Sequence, residues 1–125
     1  AAVMPKENGL SVAVNSDALA SALDRVQRVD NKARMYLDAD GMRIEAESPD
    51  TGSATEHIAV SWPHDPLAYG FKVPGLRAIL DSVGSDECAL RFRDRRTGML
   101  INPIHNGSIN INAAFVTMPM HIQGL

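Results

Sequence analysis

One repeat constrains the fold of this chain more than any other feature. Leu10, Val14, Leu19, Leu23 and Val26 recur at a constant offset as Leu67, Phe71, Leu76, Leu80 and Val83. Gly41-Met42-Arg43-Ile44 recurs at that same offset as Gly98-Met99-Leu100-Ile101. A single offset spanning strand-like and helix-like patterns points to the duplication of a whole supersecondary unit, not to a solenoid of many short repeats. In a chain of 125 residues, two such units share one domain core.

The first unit reads as follows. Leu10, Val12 and Val14 alternate with Ser11 and Ala13, the period of a half-buried strand. Asn15 is a good helix N-cap, Asp17 falls in the first turn, and Leu19, Ala22, Leu23 and Val26 form a stripe with helical spacing. Ala33, Met35 and Leu37 then alternate up to Asp38-Ala39-Asp40-Gly41, which reads as a hairpin turn into Met42, Ile44 and Ala46. After the turn-rich Ser48–Ser53 segment a further strand is expected from about Glu56 to Trp62. The second unit opens with the strand Leu67, Tyr69, Phe71. Pro74 suits the first turn of the next helix, whose stripe is Leu76, Ile79, Leu80 and Val83 and whose end is marked by Gly84. The expected class is α+β: a duplicated strand, helix, three-strand unit covering about 10–62 and 67–122. Its two helices should lie side by side on antiparallel sheet, sharing a common sheet surface.

The ends read differently from the units. Residues 1–9, broken by Pro5 and Gly9, read as an extended linker arm, and the start at Ala1 suggests a fragment, a processed protein or a trimmed chain with a domain upstream. Phe115–Ile122 reads as a last edge strand whose Pro119 ends the ladder and tilts flexible methionines toward the surface. Val116 and Met120 are expected to wall a groove floored by the second helix and its following hairpin. That tip is the expected partner-binding surface.

Charge and chemistry narrow the function. A net charge of −3 argues against a free-standing, tight nucleic-acid binder. Ser21, Arg25, Arg28 and Lys32 nevertheless lie opposite the first helix's apolar stripe, and Arg77 projects from the second, so a local basic face is possible alongside the diluting Asp24 and Asp81. The lone Cys88 excludes an intrachain disulfide and, alternating with Leu90 and Phe92, reads as a buried thiol in a reducing cytoplasm. No apolar run is long enough to span a bilayer, so no membrane partner is expected. His57, His64, His105 and His121 lack ligand spacing, and Asp38-x-Asp40-Gly41 lacks the later ligands of a calcium loop, so neither metal nor other cofactor is expected. Asp50-Thr51-Gly52 matches the signature of retroviral-type aspartic proteases, but Pro49 precedes it where that fold needs an apolar strand, and a polar turn is the preferred reading.

The order of elements, Gly70-Phe71 opening the second helix unit, Val3-Met4-Pro5-Lys6 in the arm and the closing Val116-Thr117-Met118-Pro119-Met120 together resemble the C-terminal domain of the bacterial sliding clamp, the β subunit of DNA polymerase III. The resemblance covers almost the whole chain. It implies a non-enzymatic processivity factor of DNA replication whose helices line a ring of clamp domains around duplex DNA, with Arg25, Arg28, Lys32 and Arg77 facing the DNA. It also implies that DNA polymerase, the clamp loader and repair proteins dock through short peptide motifs. The matching positions are Val3, Met4, Lys72, Gly75, Arg96, Gly98, Val116, Met118, Pro119, Met120 and His121. Gly75 stands where the family often has an aromatic side chain, Arg96 where the pocket wall is usually apolar, and His121 where an arginine is usual. A stand-alone clamp-like module that docks peptides without forming a ring is the alternative.

Overall fold

The computed structural model describes residues 9–110 and 113–120. The elements run β1 (Leu10–Asn15), α1 (Ser16–Gln27), β2 (Lys32–Asp38), β3 (Gly41–Ser48), β4 (Gly52–Ile58), β5 (Leu67–Lys72), α2 (Val73–Val83), β6 (Glu87–Phe92), β7 (Met99–His105), β8 (Ser108–Ile109) and β9 (Phe115–Thr117). The duplicated α+β architecture is therefore present, with its second half ending in two short strands.

The sheets are built by exchange. β1 leaves its own unit and pairs antiparallel with β6 of the other, Val12 opposite Leu90 and Val14 opposite Cys88. Reciprocally, β5 pairs with β2, Ala33 opposite Phe71 and Met35 opposite Tyr69. Two antiparallel sheets result, β4-β3-β2-β5 and β1-β6-β7-β8, with β9 also on β7. The common sheet surface expected from the repeat is thus two sheets, each completed by a strand from the other half. The first N–H of each helix marks the symmetry. Ser16 donates to the Asp86 carbonyl at 2.8 Å and Val73 to the Asn31 carbonyl at 2.7 Å, in each case just before the strand that the helix's own β-strand has joined.

The helices form where the sequence places them but are capped by different chemistry. The Asn15 side chain accepts from the Ala18 N–H at 2.8 Å. Lys72 offers α2 no side-chain cap; Pro74 fixes its first turn instead, and Gly84 ends it in the left-handed conformation at φ 68°. Leu19, Leu23 and Val26 of α1 and Leu76, Leu80 and Val83 of α2 are all buried, each contributing about 1.5–3 kcal/mol by leaving water. The helices lie antiparallel, with the Asp24 part of α1 beside Arg77 and the Ser16 end beside Leu80 and Gly84. Between the halves, Trp62 packs edge-on against Phe92 and donates its indole N–H to the Asp65 carbonyl at 2.9 Å.

Three boundaries differ from the sequence reading. β4 begins at Gly52, not near Glu56, because Ser48 pairs directly with Gly52 across a tight Pro49-Asp50-Thr51 turn, and it ends at Ile58, short of Trp62. Lys32 opens β2, and α1 ends at Gln27 with Arg28 as its C-cap, so Lys32 does not belong to the helix face. The last strand stops at Thr117, short of Pro119. Cys88 is buried as expected, and burial pushes its thiol pKa up. β6 was read as one-faced, yet Ala89 and Arg91 are buried too. Arg91 donates to the Asn102 Oδ1 at 3.0 Å, and the Asn102 amide donates to the Asn110 and Ala113 carbonyls, so the returning chain covers the face the alternation assigned to solvent.

Tyr69 joins the core to the loop that follows β6. Its ring is fully buried edge-on to Phe92, and its hydroxyl donates to the Thr97 carbonyl at 2.9 Å. Burial pushes its pKa from the usual 10.0 up to about 12. Below pH about 10 the phenol is protonated whether folded or unfolded; from there to about 12 only the unfolded chain releases the proton, so stability falls across that window. Tyr69→Phe should cost about 1 kcal/mol at neutral pH through the lost hydrogen bond. The variant should also lose less stability than the wild type on passing through the alkaline window. Urea unfolding at neutral and alkaline pH measures both, and parallel alkaline losses would contradict the assignment.

Candidate functional site

The C-terminal tail is where the two sheets are tied together. β9 pairs with the start of β7, Phe115 opposite Ile101, Val116 opposite Leu100 and Thr117 opposite Met99. The chain then crosses to the other sheet, where the Met120 N–H donates to the Gly70 carbonyl of β5 at 2.8 Å. Alternation along this extended segment turns Thr117 inward and Val116 and Met118 outward. Val116 is 55% and Met118 65% exposed, and they are the large exposed hydrophobic side chains among the described residues.

The glycine at 98 lets the tail sit this close. A Cβ at Gly98 would lie 3.1 Å from Val116 Cγ1 and 3.2 Å from Met118 Sδ; at Gly75 it would lie 3.8 Å from Thr117 Oγ1. Val116 and Met118 therefore pack over Gly98, where a Cβ would press on both, whereas a Cβ at Gly75 would meet Thr117 at ordinary contact distance. Of the docking positions named from sequence, the structure brings together Gly75, Gly98, Val116 and Met118, with half-buried Pro119 and Met120 continuing the tail. Lys72 is exposed at the N-cap of α2, and Arg96 is exposed in the loop before β7. Val3, Met4 and His121 lie outside the described residues. The exposed pair is Val116 with Met118, not Val116 with Met120, because the bond to Gly70 draws Met120 back toward β5.

The loop between β6 and β7 holds its shape by local hydrogen bonds that the sequence reading missed. The Asp94 carboxylate accepts from the N–H groups of Arg96 and Thr97, both at 2.8 Å, and these bonds, with the Thr97 hydroxyl, hold its pKa below the usual carboxylate range. The Asp94-x-x-Thr97 spacing is the available signal for such a turn.

The helix face is less basic than its sequence suggests. Arg77 contacts Asp24 of α1 at 2.9 Å and Asp81 of its own helix at 2.6 Å, joining the two helices. Arg25 reaches Glu56 of β4 at 2.8 Å. Arg28 and Lys32 are exposed and make no ion pair with a described residue. Asp17, Asp81 and Asp86 line a cleft at the opposite end of the helix pair. Arg25, Arg28 and Lys32 thus lie at and just beyond the C-terminal end of α1, interspersed with Asp24 and Asp30, and cations there favour the helix dipole. Asp50 sits exposed in the β3–β4 turn, and the Thr51 hydroxyl donates to the Val29 carbonyl at 3.0 Å, which gives this Asp-Thr-Gly a turn-anchoring use. Among the described residues no three His, Cys, Asp or Glu side chains converge as a metal site.

The family model described as the DNA polymerase III beta subunit, C-terminal domain, matches residues 1–121. The chain belongs to that family. Curated beta sliding clamps from Vibrio cholerae and Pseudomonas putida are 25% and 27% identical to this clamp domain over 124 residues, 96% of this chain and 33% of each relative. The sliding clamp of Bartonella birtlesii, solved bound to griselimycin, superposes with a TM-score of 0.83 at 27% identity, over 96% of this chain and 32% of that one. The Pseudomonas aeruginosa clamp shares the fold with a TM-score of 0.84 at 24% identity, over 95% and 33%. The chain therefore spans about a third of the length of the relatives it matches.

Arg77 gives the helix pair a direct test. Arg77→Met keeps the side-chain length and removes the ionic link, and should lower stability by about 0.5–1 kcal/mol at low salt. The difference should shrink in concentrated salt, as unfolding of both proteins across ionic strength will measure.

Proposed function

We propose that this clamp domain works as a non-enzymatic, cytoplasmic processivity module that docks short peptides on its C-terminal tail and contributes a weakly basic helix face to a ring around duplex DNA. The observation that carries the docking reading is the exposed Val116 and Met118 pair flanking Gly98, an apolar ledge on a domain whose other large hydrophobic side chains are covered or partly covered among the described residues. Methionine's flexible thioether suits one ledge to several partner peptides. DNA polymerase, clamp loader and repair proteins are the proposed partners, and other clamp domains would complete the ring. Family membership supports both parts of the reading.

The DNA part rests on charge. With Arg25 and Arg77 engaged by carboxylates, Arg28 and Lys32 are the side chains best placed to approach phosphates. Weak, sequence-independent contact fits a ring that must slide, since tight contact would arrest it.

A fluorescence titration tests docking. A peptide with leucine and phenylalanine anchors should bind at micromolar affinity or weaker, about −8 kcal/mol or less in magnitude. Met118→Ala should weaken it by about 1 kcal/mol in a folded protein. No wild-type binding at millimolar peptide would refute docking. For DNA, the double substitution Arg28→Glu and Lys32→Glu should weaken low-salt duplex binding and flatten its log–log salt slope by about 2. An unchanged slope would remove these two residues from the DNA face.

A further inference from the structure

The apolar ledge does not stand alone. Immediately before Gly98, the loop from β6 to β7 carries Arg93, Arg95 and Arg96, all exposed, against one carboxylate, Asp94. In a chain of net charge −3 this is a local reversal of sign. It is also fixed in place. Asp94 accepts from the N–H groups of Arg96 and Thr97 and lies 3.9 Å from the Arg93 Nε, and the buried Tyr69 hydroxyl holds the Thr97 carbonyl from below. The arginines are thus presented from a turn braced both internally and to the core, with Thr97 between Arg96 and the Gly98 backbone on which Val116 and Met118 pack.

We infer that the Arg93-Arg95-Arg96 loop selects docking peptides in which acidic residues adjoin the apolar anchors. The inference rests on the docking reading and adds the charge of the partner to it. Charge complementarity is its argument. A peptide lying on Val116 and Met118 lies on side chains that pack against Gly98 at the end of the β6–β7 loop, and the exposed guanidinium groups of that loop favour glutamate or aspartate there and disfavour lysine. Guanidinium groups can hold carboxylates with paired N–H donors, a geometry that Gln side chains do not reproduce with the same strength. Because the loop is solvent-exposed, the preference depends on salt and sharpens discrimination among partners more than it raises the ceiling of affinity.

The test uses this chain and two fluorescent peptides with the same leucine and phenylalanine anchors, one flanked by glutamates and one by glutamines. At low salt the glutamate peptide should bind about tenfold more tightly, and the advantage should shrink in concentrated salt. The double substitution Arg95→Gln and Arg96→Gln should reduce the preference to near unity; Arg95→Glu with Arg96→Glu should invert it. Both arginines are exposed, and circular dichroism checks that each variant folds. Equal affinity of the wild type for the two peptides, or a preference that survives the double substitution, overturns the inference and leaves docking intact. Failure of both peptides to bind overturns docking and the inference together. A single-stranded oligonucleotide that displaces the glutamate peptide, with the same arginine dependence and tighter binding, overturns it as well by giving the loop to nucleic acid.

Discussion

The exchange of first strands between the two halves is the constraint on which the rest of the structure depends. β1 completes the sheet of the second half and β5 completes that of the first, so neither half satisfies its backbone or covers its apolar face alone. Each helix begins with an N–H bonded across the exchange, to Asp86 or to Asn31. The helix directions are therefore set by the sheets, and the two buried stripes meet side by side as a consequence. The β1–β6 ladder joins segments far apart in sequence, a nonlocal pairing that makes folding slow relative to helical domains of the same size.

The same exchange creates the tail's position. β7 has β6 along one edge, which leaves its other edge for β8 at one end and β9 at the other. β5, brought in to complete the opposite sheet, offers the Gly70 carbonyl to Met120. The tail thus bridges two sheets through backbone bonds and the inward Phe115 and Thr117, and its side chains at 116 and 118 are left exposed. A strand held by its backbone can present apolar side chains outward without losing its place. This is the physical reason an exposed ledge persists at a chain end that would otherwise be expected to fray.

Much of the fold was legible because the signals were local. Asn15, Pro74 and Gly84 mark helix ends through backbone chemistry that needs no tertiary partner, and the two apolar stripes set the helices' buried faces. The Asp38–Gly41 hairpin is local in the same sense, with the Asp40 N–H bonded to the Asp38 carboxylate. What was missed is nonlocal. No pattern within β1 or β5 says which half's sheet it joins, so the repeat read as two units on one common sheet surface. Arg91 sits between two buried apolar residues on a strand, the position that alternation gives to solvent, yet it is buried and bonded to Asn102 of β7. The β4 boundary failed for a subtler reason: Gly52, Ser53, Ala54 and Thr55 look like turn residues, but they lie on an edge strand where small polar side chains suffice.

Part of the candidate site was legible for a different reason. Met118-Pro119-Met120 and Gly98 were named as docking positions through the family resemblance, yet their contact depends on how β9 pairs with β7. Sequence also named the basic residues of the helix face without their partners. Arg77 was placed on the DNA side by its projection from α2, but its bonds to Asp24 and Asp81 make it a link between helices. A guanidinium already holding two carboxylates must give up those contacts to hold a phosphate, so its attraction for DNA is offset by what it leaves behind. Under the proposed function this is a coherent arrangement. The helix layer keeps its positive charges largely balanced, which suits weak contact with a sliding polyanion, while the unbalanced arginines lie on the loop beside the tail, where discrimination between partners is required.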